Sequence, residues 1–395
     1  MRRYAIADEE RIRTSELVRE WTRSGLLSAS QRASIETELR TDLKRTNRNL
    51  RAVLFIFGTI VVWAALGFCL VALGVTRDSV AAWSAVAAGS VCFVLAECLV
   101  SQFRLYRFGV EEAFAVWSVV LLAGGAGVLT SIGGSRGDLP VLVGLLTAMI
   151  VSFTVYLRFG YLYAGLGAAA CAASAPFFLG LSHTAARLLS VSVLLVIFLV
   201  AQALRRPLEE DFPGDDYGAI QSVAWLGLYA VLNLRLSLDL SLFYRSKADF
   251  STPFYWGTYA AVWALPAVGL YLAIHRKHRE LIWASVIMAL ATLVTNKTYL
   301  GWARHTWDPI FLGVLLTGTA LAIRHWLSRA PDGQRSGFTP QRVLDADRRS
   351  LAMLSTLAGA AQPFAARAPA TAQTPAAFEP GGGGRSGGGG GGGEF

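Results

Sequence analysis

Long apolar runs, separated by short polar segments, recur along most of the chain. A helix needs about 20 mostly apolar residues to cross a bilayer. Ten runs approach or reach this length, and they cover residues 52–75, 80–102, 110–132, 139–157, 159–181, 188–204, 219–240, 254–274, 281–296 and 309–327. The seventh and ninth runs end in polar residues before a full span is reached. The pattern predicts an all-α, polytopic transmembrane helix bundle of about ten spans over residues 52–327.

The first 51 residues follow a different pattern. Residues 7–23 have a helical apolar face, and Ser28 and Gln31 have the spacing of a capping box, in which each side chain satisfies the other residue's backbone amide. A second helix is indicated by apolar residues at four-residue spacing, namely Ile35, Leu39 and Leu43. No strong breaker separates this helix from the first span, so it is free to continue into the membrane. Residues 1–51 therefore predict a small cytoplasmic helical hairpin, followed by a first span that acts as an uncleaved anchor.

The C-terminal part changes character after the last apolar run. Residues 328–361 predict a further cytoplasmic helix, and residues 362–395 are rich in Ala, Pro and Gly. Such a composition buries too little apolar surface to fold, so residues 362–395 are expected to be disordered. The glycine-rich end is consistent with either a natural tail or a cloning linker.

Composition narrows the class of protein. The chain of 395 residues is 54% hydrophobic and 16% charged, whereas an average soluble domain has about 25% charged residues. This balance excludes an ordinary soluble globule, and it excludes intrinsic disorder for the bulk of the chain. The four cysteines all fall within predicted spans, so they do not indicate a disulfide scaffold.

The net charge of +9 is concentrated at the two flanks of the apolar region. Before the first span stand Arg2, Arg3, Arg11, Arg13, Arg19, Arg23, Arg32, Arg40, Lys44, Arg45, Arg48 and Arg51, and after the last come Arg324, Arg329, Arg335 and Arg342. Cytoplasmic flanks carry such an excess, and an even number of spans places both termini on that side. Since topology and anionic lipid headgroups account for this charge, no nucleic-acid partner is expected.

The N-terminal segment carries a family resemblance. The stretch Glu16-Leu17-Val18-Arg19-Glu20-Trp21, then Gly25-Leu26-Leu27-Ser28 and Gln31, precedes a basic segment and many apolar spans. This arrangement resembles a family of bacterial predicted membrane proteins labelled domain of unknown function twenty-one fifty-seven. The motif covers roughly residues 10–75, and over the rest of the chain the likeness is one of topology. The resemblance implies a multi-pass protein of the bacterial inner membrane, and it carries no activity or site residues.

Ionisable residues within spans are functional candidates, because they are costly in a membrane. Glu97 lies about five residues, roughly 8 Å along a helix, from the end of the second span, and Glu111 and Glu112 open the third. The short turn between these spans carries Arg104 and Arg107. One interpretation is a carboxylate cluster that binds a cation or relays a proton. The other is a set of interfacial ion pairs that fixes the hairpin, in which Glu97 meets Arg104 or water.

A second group of polar residues lies towards the other side of the membrane. Asn233, Arg235 and Asp239 end the seventh span, and the spacing of Arg235 and Asp239 allows them to pair on one helix face. The polar residues at and after the end of the ninth span are Asn296, Lys297, Arg304, His305 and Asp308. If the seventh and ninth spans are neighbours, these residues form either a polar pocket or a solvated rim.

Function follows only in outline from these residues. No metal-binding spacing, cofactor motif or nucleophile–base pair is evident, so no metal and no cofactor are expected and an intramembrane enzyme is the third and weakest hypothesis. The first hypothesis is an integral inner-membrane protein of unknown role that contacts the lipid bilayer, or a cytoplasmic protein partner, through its termini and residues 1–51. The alternative is a small-molecule or ion transporter that uses Glu97 or the Arg235/Asp239 pair.

Overall fold

The computed structural model is all-helical over the residues that it describes. These are residue 4 and residues 6–23, 26–72, 74, 77–134, 137–206, 213–239, 252–301 and 307–329. The α-helices follow in chain order: α1 Ile6–Arg23, α2 Ala29–Glu38, α3 Arg48–Ala72, α4 Asp78–Ser101, α5 Val110–Ile132, α6 Leu139–Phe159, α7 Leu162–Ser174, α8 His183–Arg205, α9 Pro213–Leu232, α10 Leu234–Asp239, α11 Thr252–His275, α12 Arg279–Tyr299 and α13 Asp308–Ser328. A 3-10 turn, Ala175–Phe178, extends α7. Within these ranges extended pairing is limited to an isolated bridge between Lys44 and Leu105, so the predicted all-α class is confirmed.

Seven of the described helices are long and apolar enough to cross a bilayer. They are α3, α4, α5, α6 and α8, together with Pro253–His275 of α11 and Arg279–Lys297 of α12. At most 33% of the apolar window of any of them is buried within the protein, and outward side chains such as Phe68 and Val71 are 74% and 82% exposed. Exposing such surface to water costs about 25 cal/mol per Å², a cost that lipid tails remove. The chain is therefore a multi-pass membrane protein.

The count of about ten spans stays a prediction. The fifth predicted span corresponds to α7 and its 3-10 turn, which together form a shorter apolar helix, Leu162–Phe178. The seventh and tenth correspond to α9 and α13, which are not among the seven long apolar helices found in the described residues. The predicted helix over residues 328–361 and the predicted disordered tail over residues 362–395 lie outside the described residues, except for Ser328 and Arg329.

At one end of the bundle, loops and helix termini from different hairpins contact one another. Helices that are adjacent in sequence pack together, most extensively α4 with α5 and α8 with α9. Lys44 pairs with Leu105, Arg13 of α1 binds Asp216 of α9, and Gly218 of α9 lies against His278. We call this the basic end; it comprises residues 43–51, 102–109, 160–162, 205–206, 213–221 and 276–279.

The N-terminal segment forms two helices, α1 and α2, near the predicted positions. The capping box is confirmed, because Ser28 Oγ accepts from the Gln31 amide at 3.2 Å and Gln31 Oε1 accepts from the Ser28 amide at 2.9 Å. The extension of the second helix through Leu39 and Leu43 is wrong, since α2 ends at Glu38. The early end of α2 is explained by a contact with a distant loop. The Lys44 amide donates to the Arg104 carbonyl, and the Lys44 carbonyl accepts from the Tyr106 amide, both at 3.0 Å. This pairing needs extended backbone.

The turn between α4 and α5 depends on a glycine. Gly109 has φ +116°, a conformation that L side chains rarely adopt. A Cβ on Gly109 would lie 2.3 Å from the Arg51 carbonyl oxygen and 3.0 Å from the Phe55 amide nitrogen. The missing side chain therefore lets the start of α5 contact the backbone of α3 directly.

We expect Gly109→Ala to destabilise the protein. The conformation alone costs about 1–3 kcal/mol for a residue with a side chain, and the overlap with the α3 backbone adds to that cost. Gly67→Ala is the matched control, because nothing lies within 4 Å of a Cβ at Gly67 and its φ is ordinary. The measurement is the free energy of unfolding in mixed detergent micelles. Equal stability of the two variants would contradict the proposed close approach.

Candidate functional site

Glu97 is held by an arginine of the neighbouring hairpin. Its two carboxylate oxygens accept from Arg158 of α6, with Oε2 2.9 Å from Nε and Oε1 2.6 Å from Nη2. The Glu97 and Arg158 side chains are 20% and 34% exposed. Arg104, the partner considered from the sequence, instead binds Asp42 at 3.0 Å. Such a paired geometry neutralises both charges near the membrane surface and favours a structural role for Glu97.

The two glutamates that open α5 have separate partners. Glu111 is fully buried and caps its own helix, because its carboxylate accepts from the Phe108 amide at 2.6 Å and the Gly109 amide at 3.1 Å. Glu112 forms a two-pronged ion pair with Arg51 of α3, in which Oε2 lies 2.7 Å from Nε and Oε1 contacts Nη2. Glu97, Glu111 and Glu112 thus bind three different groups, an arrangement that favours interfacial pairing over a shared cation site.

The second predicted group is built around Asn233, in the gap between α9 and α10. The condition that the seventh and ninth spans be neighbours is met, as α9 packs on α12. Asn233 is fully buried; its Nδ2 donates to Tyr229 Oη at 2.9 Å and Thr295 Oγ1 at 3.0 Å, and its Oδ1 accepts from the Leu236 amide at 3.1 Å. The Asn233 side chain therefore joins α9 to α12 and accepts a hydrogen bond from an amide in the first turn of α10.

Tyrosine hydroxyls extend this network towards Arg235. Tyr299 Oη accepts from the Leu234 amide at 2.7 Å. Arg235 Nη2 donates to Tyr255 Oη at 3.0 Å, and the guanidinium lies 5.7 Å from the centre of that ring. Lys297 forms an ion pair with Asp308. The predicted Arg235/Asp239 pair is not tested, because the side chain of Asp239, like Arg304 and His305, lies outside the described residues.

The basic end contains a groove that the sequence pattern did not reveal. This arginine groove has a volume of about 1030 Å³ and lies between α1, the segment of residues 43–51 and the start of α7. Its basic lining residues are Arg13, Arg19, Arg45, Arg48, Arg51 and Arg107, and its uncharged lining residues include Leu43, Tyr106, Tyr161, Leu162, Tyr163 and Leu166. The three acidic residues of the lining are Glu16, Glu112 and Asp216.

Much of the acidic charge of the groove is already neutralised. Arg51 binds Glu112, and Arg13 Nη2 lies 3.2 Å from Asp216 Oδ1. Glu16 is largely exposed and only approaches Arg45, at 3.9 Å. The Arg48 side chain forms no hydrogen bond or ion pair with the described part of the chain. The lining therefore has a net positive charge, with arginines available to a ligand.

The aromatic walls of the groove are neutral. Burial raises the pKa of the Tyr106 phenol and, more strongly, that of Tyr161. The guanidinium of Arg107 lies 5.5 Å from the centre of the Tyr106 ring, within the range of a cation–π contact. Leu162 and Leu166 continue the wall along α7, towards the apolar part of the bundle. The groove thus combines arginine side chains with aromatic and aliphatic side chains in one lining.

A double-mutant cycle tests the structural interpretation of Glu97. We expect Glu97→Ala and Arg158→Ala each to lower the free energy of unfolding, because each breaks this two-pronged ion pair. The double variant should be less destabilised than the sum of the two, with a coupling of about 0.5–3 kcal/mol. Unfolding in mixed micelles at one pH supplies all four values. Strictly additive effects would show that the pair contributes nothing.

Comparison with known proteins identifies no relative of this chain. No protein-family model matches the chain, and no curated protein and no solved structure matches it. The family resemblance carried by roughly residues 10–75 stays a prediction.

Proposed function

We propose that this chain is a non-enzymatic protein of the bacterial inner membrane that binds the phosphate-bearing headgroups of anionic lipids in the arginine groove. The observation that supports the proposal is one cavity at the basic end whose lining includes both arginines and apolar side chains. Guanidinium groups bind phosphate oxygens with two parallel hydrogen bonds, which suits a fixed headgroup site. The apolar wall on α7 suits the start of an acyl chain.

The proposed topology has ten spans and places the basic end in the cytoplasm. Helices α3 to α13 supply ten crossings if α7 with its 3-10 turn, α9 with α10, and α13 each cross once. Contacts at the basic end involve Lys44 before α3, Leu105 between α4 and α5, the start of α9, and His278 between α11 and α12. These positions are compatible with helices that alternate in direction. Arginine excess marks cytoplasmic flanks, and the anionic lipids of that leaflet attract basic segments by about 1 kcal/mol per residue.

Transport remains the alternative function, with less support. Glu97 is engaged by Arg158 in an ion pair, and Asn233 is enclosed by hydrogen-bonded neighbours. A transport cycle would have to break these contacts. Lipid binding in the groove requires no such rearrangement, because Arg48 and Arg107 already line an open volume.

The proposal predicts selective retention of anionic lipid. Purified full-length protein should bind phosphatidylglycerol more tightly than phosphatidylcholine, measured by native mass spectrometry from detergent at several salt concentrations. The Arg48→Gln/Arg107→Gln variant should lose about tenfold in affinity for phosphatidylglycerol, since hydrogen bonds to charged groups contribute about 1.5–3 kcal/mol each and tenfold corresponds to 1.4 kcal/mol.

Arg77→Gln/Arg104→Gln is the matched control, because it removes the same charge and neither residue lines the groove. It should leave the affinity for phosphatidylglycerol within about twofold of the unaltered protein, as exposed surface charges typically contribute 1 kcal/mol or less. An equal loss in both variants would assign the effect to overall charge and overturn the proposed site.

A further inference from the structure

A second cavity at the basic end contains a buried histidine. His278 lies in the three-residue turn between α11 and α12 and is 3% exposed. Its amide donates to the Ala273 carbonyl at 2.8 Å, and its carbonyl accepts from the Ile282 amide at 3.1 Å. The turn is tight enough to place Lys277 in the left-handed region, at φ +52°. His278 therefore ends one helix and begins the next, and its position is fixed by backbone bonds on both sides.

The cavity beside it, the His278 cavity, has a strongly basic lining. Its volume is about 120 Å³, and Arg205 and Arg206 from the end of α8 line it together with Arg276 and His278. Gln202 and Gln221 supply amide groups, and Gln221 Nε2 lies 3.5 Å from Gln202 Oε1. The lining among the described residues includes three arginines and no carboxylate. Such a lining favours an anion.

The imidazole of His278 lacks hydrogen-bond partners in the described part of the chain. Neither Nδ1 nor Nε2 has a partner, although both atoms are buried. Buried polar atoms without partners are rare in folded proteins and costly, at about 1–3 kcal/mol each. Both ring nitrogens of His278 lack a partner among the described residues and lie beside a polar cavity. This is the arrangement expected if a bound ligand supplies the missing hydrogen bonds.

Charged groups surround His278 on every packed element. Arg205 of α8 and Arg276 of the turn are basic, and Glu280 Oε2 of α12 lies 3.9 Å from His278 Nε2. On α9, a Cβ at Gly218 would lie 2.7 Å from His278 Nε2 and 3.6 Å from Arg205 Cζ, and Asp215 and Asp216 precede it. Burial and the two arginines lower the pKa of His278 from 6.5 to about 4, so the ring is neutral near pH 7.

We infer that the His278 cavity binds a small oxyanion, such as a phosphate or sulfate group, through Arg205, Arg276 and His278. The size is suitable: the volume of about 120 Å³ is somewhat below that of an engineered cavity of about 150 Å³ that holds benzene. An anion there offsets the repulsion that keeps His278 neutral. Binding is therefore accompanied by proton uptake on the imidazole, and affinity increases as the pH falls. The site is separate from the arginine groove, since the two linings share no residue.

The test is a calorimetric titration of sulfate into full-length protein in phosphatidylcholine nanodiscs. Sulfate is the probe because its charge does not change between pH 5 and 7.5, and sodium chloride keeps the ionic strength constant. We expect saturable binding that tightens several-fold from pH 7.5 to 5. Arg276→Gln, in the exposed turn, should weaken binding about tenfold. Arg324→Gln removes the same charge from α13, outside the cavity, and should change affinity less than twofold.

His278→Gln tests the role of the imidazole. Glutamine keeps a hydrogen-bond donor but cannot take up a proton, so the affinity for sulfate should be lower and should no longer depend on pH. In the absence of sulfate the unaltered protein should lose stability as the pH falls from about 6.5 to about 4, since the lowered pKa favours the neutral ring in the folded state. The His278→Gln variant should lack that part of the loss.

Two further measurements separate the ligand sources and decide the proposal. Repeating the titration in phosphatidylglycerol nanodiscs distinguishes the two ligand sources. If the site takes a lipid phosphate, phosphatidylglycerol should compete and weaken sulfate binding, and if it takes a soluble oxyanion, sulfate affinity should be the same in both nanodiscs. The Arg48→Gln/Arg107→Gln variant should bind sulfate normally, so failure of the lipid site and failure of this site are distinguishable. No saturable sulfate binding, or equal losses in Arg276→Gln and Arg324→Gln, would overturn the inference.

Discussion

The contact between the start of α3 and the start of α5 determines the arrangement of the basic end. Arg51 contributes twice to this contact: its side chain binds Glu112, and its carbonyl lies against the Cα of Gly109. The loop that precedes α5 also forms backbone hydrogen bonds with Lys44, through residues 104 and 106. The N-terminal segment is therefore held to the bundle at this turn and by the ion pair between Arg13 and Asp216 of α9. Residues 43–51 line the arginine groove together with the start of α7.

Two uses of positive charge are visible at this end. Arg51, Arg158 and Arg13 have carboxylate partners on other elements, and they join helices while removing net charge from partly buried positions. Arg48, Arg205 and Arg276 line cavities without forming an ion pair in the described part of the chain. A topology signal requires only that arginine be on one side of the membrane. It does not require that several arginines line the same cavity. Because arginines meet in the arginine groove and in the His278 cavity, we interpret them as ligand-binding residues and not only as topology signals.

Sequence pattern predicts the helices well here, because bilayer thickness imposes a length and a polarity that any crossing segment must show. Local chemistry also predicted the capping box of Ser28 and Gln31. What could not be predicted depends on contacts distant in sequence. Glu97 binds Arg158 because α4 and α6 are near each other, and nothing in the spacing of either residue specifies that neighbour. The second helix ends at Glu38 because Lys44 pairs with a loop some sixty residues later. Neither the arginine groove nor the His278 cavity is formed from one continuous segment, so no local motif revealed either.

The first turns of α9 connect the two cavities. Asp216 lines the arginine groove and binds Arg13. Gly218, two residues later, lies against His278, and Gln221 lines the His278 cavity. Asp215 and Asp216 also act on Glu280, the carboxylate nearest to His278. The Arg13–Asp216 ion pair and the contact between Gly218 and His278 thus both belong to the first turns of α9. One short stretch of this helix, from Asp216 to Gln221, therefore contributes to the lining of both cavities.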